Sequence, residues 1–158
     1  MKNFFLFFCI TCNLGLSAQE EKPLFGYWLT SESIVEIKEC DKQLCANIVQ
    51  LLVEEGVDPK SILDKNNADS ALRSRPLIGV NLLNGFMPIL DRNNSIKGGK
   101  IYNPRDGKFY KSKIKLLDNG YLRVEGCLLL FCDGEEWLPL IVTVNEDGTR
   151  SAVIKNKP

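Results

Sequence analysis

The sequence predicts an all-β protein built on one antiparallel sheet, and three observations carry that expectation. Phe109, Lys111, Lys113 and Lys115 alternate with Tyr110, Ser112, Ile114 and Leu116, the period of two that marks a strand with one wet and one buried face. Asp118-Asn119-Gly120 tolerates positive φ and returns the chain through Tyr121 to Glu125, with Leu122 and Val124 on one side, as the second arm of a hairpin. Upstream, Asn103-Pro104-Arg105-Asp106-Gly107 has proline to preset φ and glycine to close a turn, so Ile101-Tyr102 faces Phe109-Tyr110.

Taken in order, the chain begins with Lys2 and an apolar run from Phe4 to Cys12, followed by the small residues Gly15, Ser17 and Ala18. The run is too short to span a bilayer, and the pattern is that of a secretory signal over residues 1–18 with cleavage before Gln19. Residues 19–158, about 140 in number, suffice for a single domain with a core and are too few for two. The 20 basic and 20 acidic side chains balance, and Lys2 is the one charge in the leader, so the mature chain is very slightly acidic. No basic stripe is present to neutralise phosphates, so a nucleic-acid partner is not expected, nor is any further transmembrane segment.

Of six cysteines, Cys9 and Cys12 fall in the leader, which leaves Cys40 with Cys45 and Cys127 with Cys132. Export to the periplasm or beyond makes disulfides the default. Cys40 and Cys45 are expected opposite each other around Asp41 to Leu44, with Val35, Ile37 and Ile48 on the other face. Such a short closed loop stabilises by roughly 2 kcal/mol in the chain-entropy view. The second pair encloses Leu128-Leu129-Leu130-Phe131, an unusually apolar turn. Local pairing with that tip partly exposed is the expectation; the alternatives are a tip folded inside and a four-cysteine zinc site.

Between the pairs the pattern is irregular. Asp58-Pro59 reads as a cap with proline at the first helical position, and Asn67 as the cap of a second turn ending near Leu72, so one short helical or irregular segment is expected near 58–72. Leu77 to Leu83 reads as a strand interrupted at Gly79, and Gly85 to Gly98 as a loop. Trp137 to Val144 is a strand in which Pro139 argues for an edge or a bulge, and Glu146-Asp147-Gly148 turns into a last strand, Arg150 to Ile154.

Several blocks together resemble one bacterial family. They are Gly26-Tyr27-Trp28, Leu44-Cys45 before Ile48-Val49, Leu72-Arg73-Ser74-Arg75-Pro76-Leu77-Ile78-Gly79, Gly99-Lys100-Ile101-Tyr102-Asn103-Pro104, Asp106-Gly107-Lys108 with Tyr110, and Val124-Glu125-Gly126-Cys127. Over residues 26–137 the chain is similar to DUF2147, a family of exported bacterial proteins of unknown function. The resemblance implies a small antiparallel β-barrel of the lipocalin/calycin-like kind and implies no activity.

The chain has no histidine, which removes the serine, cysteine and metal chemistries that depend on imidazole. Asp64, Asp106 and Glu125 offer carboxylates for glycoside cleavage, but acids on strands and turns are more often solvated or capping. Asp64, Asn66, Asn67 and Asp69 are closely spaced oxygen ligands without the far glutamate of a Ca²⁺ loop, so turn formation is the better account. Gly98-Gly99 lacks the spacing of a phosphate loop. No catalysis, cofactor or metal is expected.

The positive expectation is a binding module for a small, partly apolar ligand in the barrel mouth. Its candidate contacts are Tyr102 and Tyr110, brought together by the turn at 103–107, and Arg73 and Arg75, able to grip a carboxylate or phosphate. Each has a structural rival: a cross-strand tyrosine pair, and an arginine paired with Asp64. Trp28 reads as a floor to the core. The alternative function is a cell-envelope interaction or structural protein that uses an exposed apolar loop from Leu128 to Phe131.

Overall fold

The alternation seen around residue 112 becomes the middle of a long meander. A computed structural model describes residues 24–146 and 150–155; the expected leader and the turn at 147–149 lie outside the described residues. The strands are β1 (Gly26–Leu29), β2 (Ser33–Cys40), β3 (Gln43–Leu51), β4 (Leu83–Asn84), β5 (Ser95–Asn103), β6 (Lys108–Leu116), β7 (Leu122–Leu128), β8 (Phe131–Val144) and β9 (Arg150–Ile154). They pair antiparallel in the order β3-β2-β1-β8-β7-β6-β5-β4, with β9 added to β8. Two 3₁₀ turns, Pro59–Ser61 and Ser70–Leu72, interrupt the long excursion between β3 and β4. No helix among the described residues is long and apolar enough to cross a membrane.

The ends of this path are joined by an irregular stave. Leu44 N–H donates to the Phe86 carbonyl at 2.8 Å, Leu82 N–H to Ala46 at 2.8 Å and Ile48 N–H to Val80 at 3.0 Å, while Tyr102 N–H reaches Leu82 at 2.8 Å. Residues 79–86 therefore hydrogen-bond β3 on one side and β5 on the other, and the sheet is a nearly closed eight-strand barrel. The expected strand from Leu77 to Leu83 is corrected by this: only Leu83–Asn84 is regular, because the Asn81 side chain stands in for backbone and accepts from both Ala46 N and Leu83 N.

Other boundaries also move. The expected loop at 85–98 ends early, since β5 already begins at Ser95 and absorbs Gly98 as a bulge between Lys97 and Gly99. Gly99 is needed for packing: a Cβ there would lie 2.4 Å from the buried ring of Phe86. Asp69, not Asn67, caps the second 3₁₀ turn, by accepting from Ala71 N. Pro139 is no edge residue. β8 runs unbroken past it, opposite Trp28 of β1. Its carbonyl accepts from Lys155 on the far side, so its missing N–H points to where β8 has left β7 at Trp137 and not yet met β9 at Leu140.

Both disulfides form within hairpins. Cys127 and Cys132 are direct cross-strand partners, with Cα atoms 4.0 Å apart. Cys40 instead pairs with Gln43 across a two-residue turn, and Cys45 with Lys38, so this bridge runs diagonally where a face-to-face placement was expected. The cause is local: Asp41 and Lys42 both take positive φ, the tight hairpin geometry that leaves no room for a four-residue loop. Val35, Ile37 and Ile48 share the opposite, inward face as expected. Inward residues Ile37, Leu44, Phe86, Ile114 and Leu122 pack the end of the barrel that holds this turn.

Candidate binding cavity

The other end stays open. There the β1–β2, β5–β6 and β7–β8 turns meet the start of the excursion, and they surround a cavity of about 870 Å³. Strand alternation supplies its walls. Ile101 faces Tyr110 across β5 and β6, Val124 faces Glu135 and Leu122 faces Trp137 across β7 and β8, and of these Ile101, Tyr110, Val124, Glu135 and Trp137 border the cavity. Ile48 and Leu82 complete the apolar wall, and Leu63 and Leu77 of the excursion lean over it.

Polar groups sit at defined points on this surface. The Trp137 indole N–H donates to Glu135 at 2.8 Å, and Ser31 N–H donates to the other oxygen of the same carboxylate at 3.2 Å, which ties β8 to the β1–β2 turn. Arg105 of the β5–β6 turn forms an ion pair with Glu32 of the β1–β2 turn across the rim. Tyr110 donates its hydroxyl proton to Asp106, and that bond pushes the phenol above its ordinary range. The cavity thus offers apolar walls, one tryptophan and a few placed hydrogen-bonding groups, the usual make-up of a small-molecule site.

The four sequence-predicted contacts separate. Tyr110 points into the cavity. Tyr102 borders it, but its ring lies on the opposite face of the ribbon, against Phe109 with ring centroids 5.0 Å apart; neighbouring strand positions cannot share a face. Its hydroxyl donates to Asp64 at 2.5 Å and accepts from Asn67 at 3.0 Å. Arg75 grips the same carboxylate through Nε at 3.0 Å and Nη2 at 2.8 Å, and Arg73 donates to the Asn67 carbonyl at 2.8 Å. Neither arginine borders the cavity.

Asp64 is the hub of this cluster and is fully buried. Burial is the largest single influence and opposes its charge, yet the Tyr102 hydroxyl, the Asn67 amide and the Arg75 guanidinium together outweigh it and hold the carboxyl below its ordinary range. Burial, then the Asp64 contact, pushes Tyr102 up to about 12. The excursion also touches the β5–β6 turn: a Cβ on Gly107 would overlap the Asn66 carbonyl at 1.7 Å, and Asn66 donates to Arg105 O at 2.8 Å. The remaining carboxylates considered for catalysis are committed elsewhere, Asp106 to Tyr110 and Glu125 to Lys113 and Arg123. Among the described residues no group of three metal-binding side chains is found.

Glu135, Trp137 and Arg105 were missed from sequence. The signal was available for two of them, since pairing Cys127 with Cys132 fixes Val124 opposite Glu135 and Leu122 opposite Trp137.

The solved structure of a Helicobacter pylori protein, HP1028, described as belonging to the lipocalin family, is similar to this chain with a TM-score of 0.61 and 28% identity over 72% of this chain and 80% of that one. No curated protein matches the chain. A family model described as uncharacterized protein conserved in bacteria matches residues 26–138, and the chain belongs to that family, DUF2147.

Proposed function

We propose that this chain is an exported, non-catalytic binding protein that holds a small, partly apolar ligand in the open end of the barrel. The observation that carries the reading is the cavity itself: about 870 Å³, within the roughly 300–1,000 Å³ typical of small-molecule sites, on a lipocalin-like barrel. Two hairpin disulfides support passage through an oxidising compartment. The absence of histidine from the sequence supports binding over proton-transfer chemistry. Tyr110 and Glu135 are the polar contacts, with Tyr102 at the border; Arg73 and Arg75 serve the ligand indirectly, by holding the excursion in place over the cavity.

The test uses an uncharged fluorescent naphthylamine probe and native mass spectrometry of protein recovered from its host. Wild type is expected to brighten the probe, quench Trp137 and carry a copurifying small molecule. Val124→Trp, which projects an indole into the cavity, is expected to abolish all three while unfolding cooperatively on heating. Wild-type protein that leaves the probe dark and carries nothing would refute the reading.

A second reading is favoured by one observation. Leu128, Leu129, Leu130 and Phe131 are 65%, 90%, 95% and 83% exposed, a contiguous apolar patch of the kind that marks a contact surface.

A further inference from the structure

We propose that the β7–β8 tip, with Phe109 beside it and a row of lysines behind it, docks on the interfacial zone of an anionic lipid bilayer. The proposal rests on the second reading above, that the tip is a contact surface, and is independent of what fills the cavity.

Three features point to a lipid surface. First, the tip is apolar without interruption and is held rigid. Leu128 faces Phe131, Leu129 and Leu130 form the turn, and the Cys127–Cys132 bridge closes its base. Leu129 takes φ 57°, a backbone state that a leucine adopts only under constraint. A turn chosen for folding alone would carry Asn or Gly there, so the side chain is kept at a cost for some purpose outside the fold.

Second, lysines stand in facing positions on the outer face of the strands behind the tip. Cross-strand partners share a face, and the register places Lys100, Lys111, Cys127 and Cys132 in one transverse row on the outside of β5, β6, β7 and β8. Lys100 directly opposes Lys111, and Lys97 opposes Lys113. Like charges in facing positions destabilise a sheet. Lys113 is relieved by Glu125, but among the described residues neither Lys100 nor Lys111 has a carboxylate within ion-pair distance. An external anion supplies the missing complement.

Third, the depths agree. Phe109, which is 54% exposed, stands two residues from Lys111 on the same strand face, on the tip side of the Lys111–Cys127 pair. At about 3.4 Å per residue the lysine row lies roughly 7 Å behind Phe109. An interfacial segment buries its apolar face about 5–10 Å below the headgroups, so when Leu129, Leu130 and Phe109 enter the acyl boundary the ammonium groups meet the headgroup phosphates. Leu128 and Phe131 also border the cavity, so the docked tip connects the apolar wall of the barrel to the membrane.

The experiment is co-sedimentation of the oxidised protein with vesicles of phosphatidylglycerol and phosphatidylethanolamine, and with vesicles of phosphatidylcholine alone. Wild type is expected to sediment with the anionic vesicles. Leu129→Ser/Leu130→Ser should lower its partition coefficient more than tenfold, with an unchanged thermal unfolding curve and unchanged naphthylamine binding. Lys100→Gln/Lys111→Gln should weaken anionic-vesicle binding by about fivefold per lysine and leave phosphatidylcholine binding as it was. Lys42→Gln, on the turn at the closed end, should change nothing. Val124→Trp is expected to sediment like wild type, so loss of the cavity ligand and loss of docking are read separately. Wild type that stays in the supernatant with anionic vesicles overturns the proposal, as does a Leu129→Ser/Leu130→Ser protein that sediments like wild type; either result would assign the tip to a protein partner instead.

Discussion

The cluster under the excursion and the tip of the β7–β8 hairpin invert the ordinary division of residues between core and surface in opposite ways. In the first, a carboxylate is buried with no exposed area; in the second, four large apolar side chains stand in solvent. The fold accounts for the buried acid. Asp64 receives hydrogen bonds from Tyr102, Asn67 and Arg75, and these join residues 64–75 to β5, so the charge anchors the irregular excursion to the regular sheet. Nothing in the fold accounts for Leu129 and Leu130, which, unlike Leu128 and Phe131, do not border the cavity. A polar violation that is fully satisfied speaks of architecture, whereas an apolar violation left unsatisfied speaks of a partner.

The contrast can be broken by substitution. Asp64→Ala should have the largest effect, a loss of about 3 kcal/mol in urea unfolding, because it strips the hub from three donors; the figure stays at the low end for buried pairs since Arg75 keeps 38% of its side chain in solvent. In wild type the Asp64 carboxyl is held low, so its contribution is fully present above its unfolded value near pH 4 and is lost as pH falls through the folded value. An acid limb of stability that survives in Asp64→Ala at the same size would assign it to other groups.

Tyr102→Phe should cost about 2 kcal/mol, the worth of one hydrogen bond to a charged group. The phenol is raised to about 12, so its contribution is complete below the unfolded value near pH 10 and fades as pH climbs toward 12. That alkaline loss should be smaller in the variant. Leu129→Gly should act in the other direction and stabilise by about 1 kcal/mol, since glycine accepts the φ of 57° that strains leucine. Leu130→Ser should fall within about 0.5 kcal/mol of wild type, as for other surface positions without special contacts. A large destabilisation by either tip variant would mean that the leucines serve the fold after all.

Much of the barrel was legible because its signals are local. Lys108 to Glu125 alternates cleanly and is punctuated by Asp118-Asn119-Gly120, so two strands and their register follow from neighbours in the chain. The stave at 79–86 was not legible as it stands, since its hydrogen bonds go to β3, more than 30 residues upstream, and to β5; side chains such as Asn81 replace ladder groups there and leave no periodic trace. The start of β5 at Ser95 was hidden by Gly98 and Gly99, which read as loop but serve as a bulge and as a seat for Phe86.

The candidate site was legible in part for the same reason. Tyr110 borders the cavity, on the face its alternation assigned to it. Tyr102 and Tyr110 were grouped because the turn brings their strand positions close, but adjacent registers point to opposite faces, and the structure pairs Tyr102 with Phe109. Glu135 and Trp137 went unnoticed because their position depends on the disulfide register of a hairpin whose apolar turn obscured where β7 ended.

From its residues alone the chain determined an all-β class, two hairpin cysteine pairs, and a chemistry without imidazole, because periodicity, spacing and composition are properties of the string itself. Tertiary structure alone decided which end of the barrel is packed and which is hollow, that Asp64 is buried among its donors while the leucines of the tip are not, and that Lys100 and Lys111 stand together behind that tip. These are consequences of which distant strands meet and in what register, and a side chain's burial or solitude is set only once its neighbours from the rest of the chain have arrived.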